Sequence, residues 1–387
     1  MRLETQAVHA GEPSNNSEGP VVMPIFQSAT FLGTGTYMRP ADTPNHRALA
    51  AKLASLEGTE AAIALSSGMA AITSALHTAL QPGDHVLTQA ALYGGTWEFV
   101  HNELARLGVS HTTVDAREAP SWRAALRPNT KVFYAEAISN PLVEVGDLAA
   151  ASAFSREHGL ISIIDATFAT PVLCRPCTQL GFNVVVHSAT KYLNGHSDVV
   201  AGAVASSAAF ISKVTDHARV YGCTLDPHAA WLVQRGVKTL ALRVRQQCAS
   251  ALSLARFLDG HAQVSRVYYP GLPSSRDYAR TVELFGGSGG GVLAFEVKGG
   301  VAAADAMLGA LEVATVAVSL GSVETLVTRP ALDTHLHLGA AGRKAAGIAD
   351  ELVRVAVGIE AVDDLLDDFA QALMVVRRAL GIITLAQ

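Results

Sequence analysis

The run Val186-His187-Ser188-Ala189-Thr190-Lys191-Tyr192 is the most informative stretch of the sequence, because it places a lysine beside two hydroxyl residues directly after an apolar stretch. The residues Val184–His187 are predicted to form a buried β-strand that ends at this run. A lysine amine that is removed from water has a lowered pKa and can form a Schiff base with a carbonyl compound. Taken alone the signal is moderate, because most lysines in loops are solvated and unreactive.

A second segment, Ser66-Ser67-Gly68-Met69-Ala70-Ala71, lies between a predicted strand and a predicted helix. A glycine turn at a helix N-terminus presents unpaired backbone N–H groups and the positive end of the helix dipole, which together suit a phosphate. The hydroxyl groups of Ser188 and Thr190 could bind the same phosphate. On its own, Ser-Ser-Gly is equally typical of an ordinary turn between a strand and a helix.

A third segment, Ile163-Ile164-Asp165, ends a strongly apolar strand on a carboxylate. A buried carboxylate needs a cationic partner, and a protonated pyridine nitrogen would serve. A phosphate site, a carboxylate at a strand end and a Schiff-base lysine are together the groups that bind pyridoxal phosphate (PLP).

Around these segments, short β-rich runs alternate with helical periods, which indicates a mostly parallel sheet covered by helices on both faces. Ligands of such sheets bind at the carboxyl ends of the strands. The predicted strands are Ala61–Leu65, His85–Thr88, Lys131–Ala135, Leu160–Ile164 and Val184–His187, and the predicted helices are Thr43–Gly58, Met69–Leu80, Thr96–Leu107 and Leu148–His158.

One long helix is predicted over Ala229–Leu258, and after it the pattern changes. Shorter elements follow, namely strands Val264–Tyr269, Gly291–Val297 and Leu352–Ile359 and helices Val301–Leu311 and Val362–Leu380. We therefore expect an α/β protein with an extended N-terminal arm in residues 1–45, a PLP-binding domain in 46–240 and a smaller α/β C-terminal domain in 241–387.

The composition is apolar and poor in charge: 49% of residues are hydrophobic, only 16% are charged and the net charge is −5. These values exclude intrinsic disorder and argue against binding of nucleic acid through its phosphates. No apolar stretch reaches the roughly 18 residues of a membrane-spanning helix, and the N-terminus lacks the apolar core of a secretory signal. We therefore expect a cytoplasmic protein that buries apolar surface in an oligomer.

Four cysteines in 387 residues do not form a disulfide framework. Cys174 and Cys177 make a C-x-x-C pair, which is typical of a redox site or of half a zinc site. No further pair at matching spacing completes a zinc site, so we interpret both as small apolar residues and expect no metal.

The chain resembles the Cys/Met-metabolism family of PLP enzymes, which contains cystathionine γ-synthase, the cystathionine lyases and methionine γ-lyase. The most specific block is His187–Asp198, HSATKYLNGHSD. Further blocks, spread in order along nearly the whole chain, are Ala7–Gly11, Ser66–Ala71, Tyr93–Thr96, Asn140-Pro141, Tyr269–Pro273, Ser319–Gly321 and Val353–Glu360. The resemblance implies the fold of type I PLP-dependent transferases, which is aminotransferase-like.

The resemblance also implies roles for individual residues. Lys191 would bind the cofactor and then shuttle protons, Asp165 would pair with the pyridinium nitrogen, and Tyr93 would stack on the ring and protonate a departing thiolate. The phosphate would be held by Gly68, Met69, Ser188 and Thr190. Arg354 would bind the substrate α-carboxylate, with Asn140 and Ser319 near the substrate and the cofactor edge.

In the arm, Tyr37-Met38-Arg39 resembles the family's Tyr-x-Arg, whose two side chains reach the phosphate of a neighbouring subunit. The residues that follow, Asp42-Thr43-Pro44, differ from the family's usual Asn-Pro-Thr. By resemblance we expect Tyr37 and Arg39 to be cofactor ligands in a homotetramer built from two dimers with shared active sites.

Departures from the family pattern bear on the substrate. Glu98 stands where relatives that handle cystathionine usually have arginine for the distal carboxylate, and Val318 stands where they usually have glutamate. An apolar residue at 318 resembles methionine γ-lyases. Other positions do not follow those enzymes or the wider family, namely Gly95, Ala166, Ala218, Arg219 and Arg329.

We therefore expect a carbon–sulfur lyase of sulfur amino acids that performs γ-elimination on L-methionine or a related thioether and releases an α-keto acid, ammonia and a thiol. Cystathionine γ-lyase, cystathionine γ-synthase or sulfhydrylase activity on a homoserine ester is the alternative. A non-catalytic scaffold is a third hypothesis, against which Lys191, Asp165, Tyr93 and Arg354 argue.

Overall fold

The computed structural model describes residues 1–13, 19–33, 37–39 and 41–379. The chain divides into two compact units. Unit 1 contains Met1–Ala137 and Gly146–Ala241, and unit 2 contains Ile138–Val145 and the chain from Leu242 onward. Since unit 2 takes in a short segment from the first half of the chain, Asn140 belongs to the same unit as Arg354.

Unit 1 is built on a seven-stranded sheet with strand order β1-β7-β6-β5-β4-β2-β3. Only β7 runs antiparallel to its neighbours, β1 and β6, while the other pairs are parallel. The strands are β1 (Ala61–Leu65), β2 (His85–Gln89), β3 (Ser110–Val114), β4 (Thr130–Glu136), β5 (Ile161–Asp165), β6 (Val184–Ser188) and β7 (Gly202–Ser206). The predicted α/β class with a mostly parallel seven-stranded sheet is confirmed.

The central strands are buried and rich in Val and Ile, as parallel strands covered on both faces must be. Helix α3 (Gly68–Ala79) packs against β5, β6 and β7, and its apolar residues form one core with the apolar residues of these strands. The other helices of unit 1 are α1 (Leu3–His9), α2 (Pro44–Glu57), α4 (Gly94–Glu98), α5 (Leu104–Arg106), α6 (Ala119–Ala125), α7 (Leu148–Glu157), α8 (Thr170–Leu173), α9 (Pro176–Gln179), α10 (Ala208–Tyr221) and α11 (Pro227–Val237).

Unit 2 contains a five-stranded sheet with strand order β10-β11-β12-β9-β8, antiparallel except for the pair β10–β11. Its elements are α12 (Leu240–Asp259), β8 (Val264–Tyr268), α13 (Tyr278–Phe285), β9 (Val292–Val297), α14 (Gly300–Leu308), β10 (Thr315–Val316), β11 (Leu326–Thr328), α15 (Gly339–Ala345), β12 (Leu352–Ala356) and α16 (Val362–Ala379). Apolar residues of α12, α14 and α16 cover the sheet and form its core.

Two predictions about single elements are wrong, and a third, the helix Thr96–Leu107, is helical but not regular throughout. The predicted helix Ala229–Leu258 is two helices, α11 and α12, which are separated at Lys238-Thr239. The predicted helix Thr96–Leu107 contains a π-helical segment, Phe99–Glu103, between α4 and α5. The arm is not wholly extended, because it begins with helix α1.

Helix α1 is too short to be recognised by periodicity, and a distant lysine stabilises it. The fully buried Lys52 of α2 donates from Nζ to the carbonyl oxygens of Ala7 (2.7 Å) and Val8 (3.2 Å) and pairs with Glu12. These bonds satisfy carbonyl groups at the C-terminal end of α1 that lack partners inside the helix. Among the described residues, no helix is long and apolar enough to cross a membrane.

Candidate active site

Lys191 lies in the turn that follows β6, the strand between β5 and β7. The turn is closed by hydrogen bonds from Lys191 N to Ser188 O (3.1 Å) and from Gly195 N to Lys191 O (2.7 Å). The lysine is partly buried. Since β6 ends at Ser188, the side chain lies at the carboxyl edge of the sheet, where the sequence predicts a ligand.

Asp165 ends the neighbouring strand β5 and is almost fully buried. Its Oδ1 accepts two hydrogen bonds from Thr167, one from the backbone N (2.8 Å) and one from the hydroxyl Oγ1 (2.5 Å). The same hydroxyl accepts a hydrogen bond from Ser188 N (2.9 Å). Thr167 therefore joins Asp165 to the strand end that leads into the Lys191 turn.

Burial raises the pKa of the Asp165 carboxyl above its ordinary value, although the two hydrogen bonds from Thr167 and the charge of His187 act in the opposite direction. His187 is itself buried on β6 and lies 2.6 Å from Glu57 Oε1 at the end of α2. A carboxylate in this environment is stabilised as an anion when a cation lies beside it.

The N-terminus of α3 is the place where the sequence predicts a phosphate site. The Ser67 side chain caps the helix by accepting from Ala70 N (2.9 Å), while the N–H groups of Gly68 and Met69 point out of the first turn, where an α-helix offers no backbone acceptor. Gly68 is required here, because a Cβ at this position would lie 2.7 Å from Ser188 Cβ and 2.8 Å from Ser188 Oγ. The Ser188 hydroxyl therefore lies directly at this helix end.

Tyr93 precedes α4, and its backbone N donates to the buried carboxylate of Glu136 at the end of β4 (2.6 Å). Its ring lies against Gly95, where a Cβ would come within 2.8 Å of Tyr93 Cε1 and 3.0 Å of Met69 Sδ. Tyr93 is 43% exposed, so part of the residue is open to solvent. The absence of a side chain at 95 allows Tyr93 and Met69 to approach each other.

Thr190 differs from the other predicted phosphate ligands. Its hydroxyl donates to Ala201 O (3.1 Å) and accepts from Ala201 N (2.9 Å). Its one proton is therefore used within the protein, and the hydroxyl would have to turn before it could donate to a phosphate.

Arg354, Asn140 and Ser319 come together in unit 2. Arg354 is in the middle of β12 and is 2% exposed. Its guanidinium donates from Nη1 to Asn140 Oδ1 (3.0 Å) and from Nη2 to the Ser319 carbonyl (3.0 Å). Ser319 holds a φ of 93°, which is uncommon for a residue other than glycine. The two contacts fix the plane of the guanidinium, which is a group suited to a carboxylate.

Tyr37 and Arg39 lie on the exposed arm. Tyr37 is 47% exposed, and the Arg39 guanidinium carbon is 5.7 Å from the centre of its ring. The Arg39 backbone is held by a hydrogen bond from the Thr224 hydroxyl (2.7 Å). Both side chains are open to solvent in the single chain, as residues that serve a neighbouring subunit would be.

The C-x-x-C pair has no features of a reactive site. Burial, together with the charge of Glu57, raises the pKa of the Cys174 and Cys177 thiols to about 12, so both are protonated at neutral pH. Within the described part of the chain, no cluster of three His, Cys, Asp or Glu side chains could hold a metal ion.

Comparison with known proteins identifies the family to which the chain belongs. The model of the family described as "Cys/Met metabolism PLP-dependent enzyme" matches residues 4–374. The chain belongs to this family. The resemblance and the type I fold inferred from the sequence are thereby confirmed, as is the expectation of a PLP-dependent carbon–sulfur lyase.

Several named relatives are similar over nearly their whole length. L-Methionine γ-lyase of Pseudomonas putida is 40% identical over 95% of this chain and 96% of its own. Cystathionine γ-lyase of Bacillus subtilis is also 40% identical, over 96% of this chain and 99% of its own. The crystal structure of cystathionine γ-lyase from Lactobacillus plantarum complexed with L-serine matches with a TM-score of 0.92, at 36% identity, and covers 97% of this chain and 100% of that one.

The residues present in unit 1 fit the family's cofactor. The α3 N-terminus, closed behind by Ser188, suits the phosphate, and the buried Asp165 suits a protonated ring nitrogen. No role for Thr167, the residue that links Asp165 to Ser188, is predicted from the sequence. Its signal was its position two residues after Asp165, but a threonine in a turn predicts no particular partner.

Proposed function

We propose that the protein is a γ-lyase that acts on L-methionine or a related thioether and releases an α-keto acid, ammonia and a thiol. The observation that carries the proposal is Glu98, an exposed carboxylate at the end of α4, the helix that begins beside Tyr93. By the resemblance, cystathionine-handling relatives use an arginine at this position for the distal carboxylate. A carboxylate there repels such a substrate and leaves a neutral thioether unaffected.

Pyridoxal phosphate, when bound, supplies an electron sink for the negative charge that develops on the substrate. In our proposal Asp165 keeps a proton on the ring nitrogen, because a buried carboxylate is stabilised by the cation that this proton creates. The N–H groups of Gly68 and Met69 and the hydroxyl of Ser188 would bind the phosphate, and Thr190 would join them if its hydroxyl turned away from Ala201 O. Tyr37 and Arg39 would reach the phosphate from the neighbouring subunit.

Two residues move protons in the proposed reaction. Lys191 Nζ would hold the cofactor in the resting enzyme, and its amine would be the base for the proton of the substrate α-carbon. Tyr93 Oη gives a proton to the departing sulfur, and the partial exposure of Tyr93 next to Gly95 supports this role. A second proton must leave the β-carbon before the γ-sulfur departs.

Arg354 binds the substrate carboxylate in this proposal. Its position deep in β12 and its two hydrogen bonds, to Asn140 and to the Ser319 carbonyl, support a fixed guanidinium that does not have to be ordered when substrate arrives. Asn140 and Ser319 act with it as substrate-binding residues.

Cystathionine γ-lyase activity is the second candidate, with cystathionine γ-synthase or homoserine-ester sulfhydrylase activity related to it. Gly95 favours this activity, because the family resemblance implies that methionine γ-lyases commonly have cysteine at this position. In this structure a Cβ there would collide with the Tyr93 ring. The equal identity to the Bacillus subtilis cystathionine γ-lyase also supports it.

We propose further that the protein is a homotetramer whose active sites are shared between subunits. Apolar side chains of the arm that no part of the described chain covers support this, for example Val21 (91% exposed) and Leu32 (99% exposed). Large obligate interfaces are as apolar as a protein core, which also accounts for the low charge of the chain.

The reaction is tested by turnover of L-methionine in deuterium oxide, followed by NMR and by thiol detection. A γ-elimination requires loss of a β-proton, so we expect a four-carbon α-keto acid that carries deuterium at the former β-carbon, together with one thiol per keto acid. Pyruvate as the only keto acid from cystathionine, with no thiol from methionine, would contradict the proposal and indicate β-elimination.

A further inference from the structure

Thr167 occupies a junction between three parts of the site. Its hydroxyl donates to Asp165 Oδ1 (2.5 Å) and accepts from Ser188 N (2.9 Å), and Ser188 O in turn accepts from Lys191 N (3.1 Å). Because a hydroxyl has one proton, the bond from Ser188 N directs that proton towards Asp165. One side chain thus connects the carboxylate, the phosphate-side serine and the lysine turn.

The arrangement also fixes which way the Asp165 carboxylate faces. Oδ1 receives both the hydroxyl and the backbone N–H of Thr167, so the carboxylate cannot rotate without breaking two bonds to one residue. A carboxylate held by two donors is favoured as an anion, and a fixed orientation directs it at a ligand without further ordering.

We propose that Thr167 is a positioning residue for the cofactor, whose hydroxyl fixes the Asp165 carboxylate and the Ser188–Lys191 turn as a single unit. The inference rests on the proposed role of Asp165 as partner of the ring nitrogen. Thr167 acts through Asp165 and Ser188 and touches neither substrate nor reacting atoms.

Two other titratable groups act on the pKa of Asp165, and both lower it: the charge of His187 on β6 and the hydroxyl of Tyr134 on β4. Glu136, also on β4, is paired with Asp165 in the sheet. Burial raises the pKa of Asp165, while the hydrogen bonds from Thr167 lower it. Loss of the hydroxyl therefore moves that pKa further up, so the anion that binds the cofactor is lost at a higher pH.

The test compares Thr167→Val, which removes only the hydroxyl, with Thr167→Ser, which keeps it. The affinity of the apoprotein for pyridoxal phosphate is measured by equilibrium dialysis between pH 6 and 9. We expect Thr167→Val to bind about tenfold more weakly at pH 7, which is about 1.4 kcal/mol, with the loss growing at lower pH. Thr167→Ser should stay within about twofold of the wild type.

Thr78→Val is the matched control, because the Thr78 hydroxyl makes a single hydrogen bond inside α3, to Ser74 O (2.7 Å), and none to Asp165. Thr167→Ala replaces the valine variant if the latter does not fold. The inference would be overturned if the pH profile of cofactor affinity were the same for Thr167→Val, Thr167→Ser and the wild type. It would also be overturned if Thr167→Ser and Thr167→Val lost cofactor affinity to the same extent.

Asp165→Asn separates this inference from the proposed function. If Asp165→Asn binds the cofactor as tightly as the wild type, the proposed role of Asp165 fails. If Asp165→Asn binds weakly while Thr167→Val does not, only the role of Thr167 fails. When both hold, Thr167→Val should cost less cofactor affinity in the Asp165→Asn background than in the wild type, because the part of its effect that acts through the Asp165 charge is already lost and only the part that acts through Ser188 remains.

Discussion

Asp165, in the role that we propose for it, would favour cofactor binding at the expense of stability. Burial raises its pKa, so the folded chain holds the proton more tightly than the unfolded chain does. The ionised carboxylate therefore destabilises the apoprotein as pH rises from the ordinary carboxyl range through the raised pKa. A bound cation removes this penalty, which couples cofactor binding to the stability of unit 1.

Asp165→Asn should accordingly raise the unfolding midpoint of the apoprotein at pH 8 while weakening its affinity for pyridoxal phosphate. An amide oxygen still accepts both hydrogen bonds from Thr167, so only the charge is lost. A gain of 1 kcal/mol raises the midpoint by about 2–4 °C in a domain of 150–250 residues, which calorimetry resolves. The gain should shrink towards pH 4, and a midpoint lower than that of the wild type at pH 8 would contradict this account.

At the scale of elements, the proposed phosphate site depends on the close approach of α3 to the end of β6. The approach depends on Gly68, since a Cβ would overlap Ser188, and on Gly202 of β7, since a Cβ there would lie 1.9 Å from Ser67 O. Glycine at such places allows one backbone to come close to another.

Gly68→Ala should therefore reduce cofactor affinity by at least about tenfold, because the first turn of α3 has to move away from Ser188. Gly19→Ala is the control in the same unit, since a Cβ at Gly19 meets nothing within 4 Å. Fluorescence titration of the two apoproteins with pyridoxal phosphate measures the difference. Equal affinities would show that the contact with Ser188 does not define the site.

The sequence predicts an element well where a run of residues is clearly apolar, as in β4, β5 and β6. It predicts an element less well where contacts with residues distant in the sequence determine its bounds. The predicted helix Ala229–Leu258 breaks after Val237, and the preceding Gly236 lies so close to Asn194 that a Cβ would be 2.1 Å from Asn194 O. No pattern within the helix reveals a partner forty residues earlier. Strand β7 escaped prediction because its Gly-Ala-rich residues have little β-propensity.

The candidate site also contains residues that the sequence indicates and residues that only distant contacts reveal. The lysine, the carboxylate and the phosphate turn were predicted because each lies at a strand or helix end that the sequence marks. Thr167 and the pair His187–Glu57 were not, because their partners are distant in sequence: His187 and Glu57 are 130 residues apart. The domain boundaries at 45 and 240 and the roles of the site residues stay predictions.

At the scale of the whole molecule, sharing of active sites between subunits can be tested by complementation. Arg39→Ala and Lys191→Ala should each be nearly inactive at limiting cofactor concentration. In a hybrid dimer, the subunit with intact Lys191 receives intact Arg39 from its neighbour, so one site of two is restored. Random reassembly of an equal mixture then predicts about one quarter of wild-type activity.

Lys191→Ala mixed with wild type is the control for subunit exchange, and light scattering before and after mixing follows the oligomeric state. Activity no greater than that of the two parents, although hybrids form, would show that Arg39 serves its own subunit or none. A stable monomer at micromolar concentration would remove the basis of the proposal altogether.

The specificity constants for L-methionine and L-cystathionine, measured side by side on the wild type and on Glu98→Arg, test the central claim most directly. If Glu98 excludes a distal carboxylate, kcat/KM for methionine exceeds that for cystathionine by at least about tenfold, and Glu98→Arg moves the ratio towards cystathionine by a similar factor. A wild type that prefers cystathionine by a wide margin, or a ratio that Glu98→Arg leaves unchanged, would contradict the account.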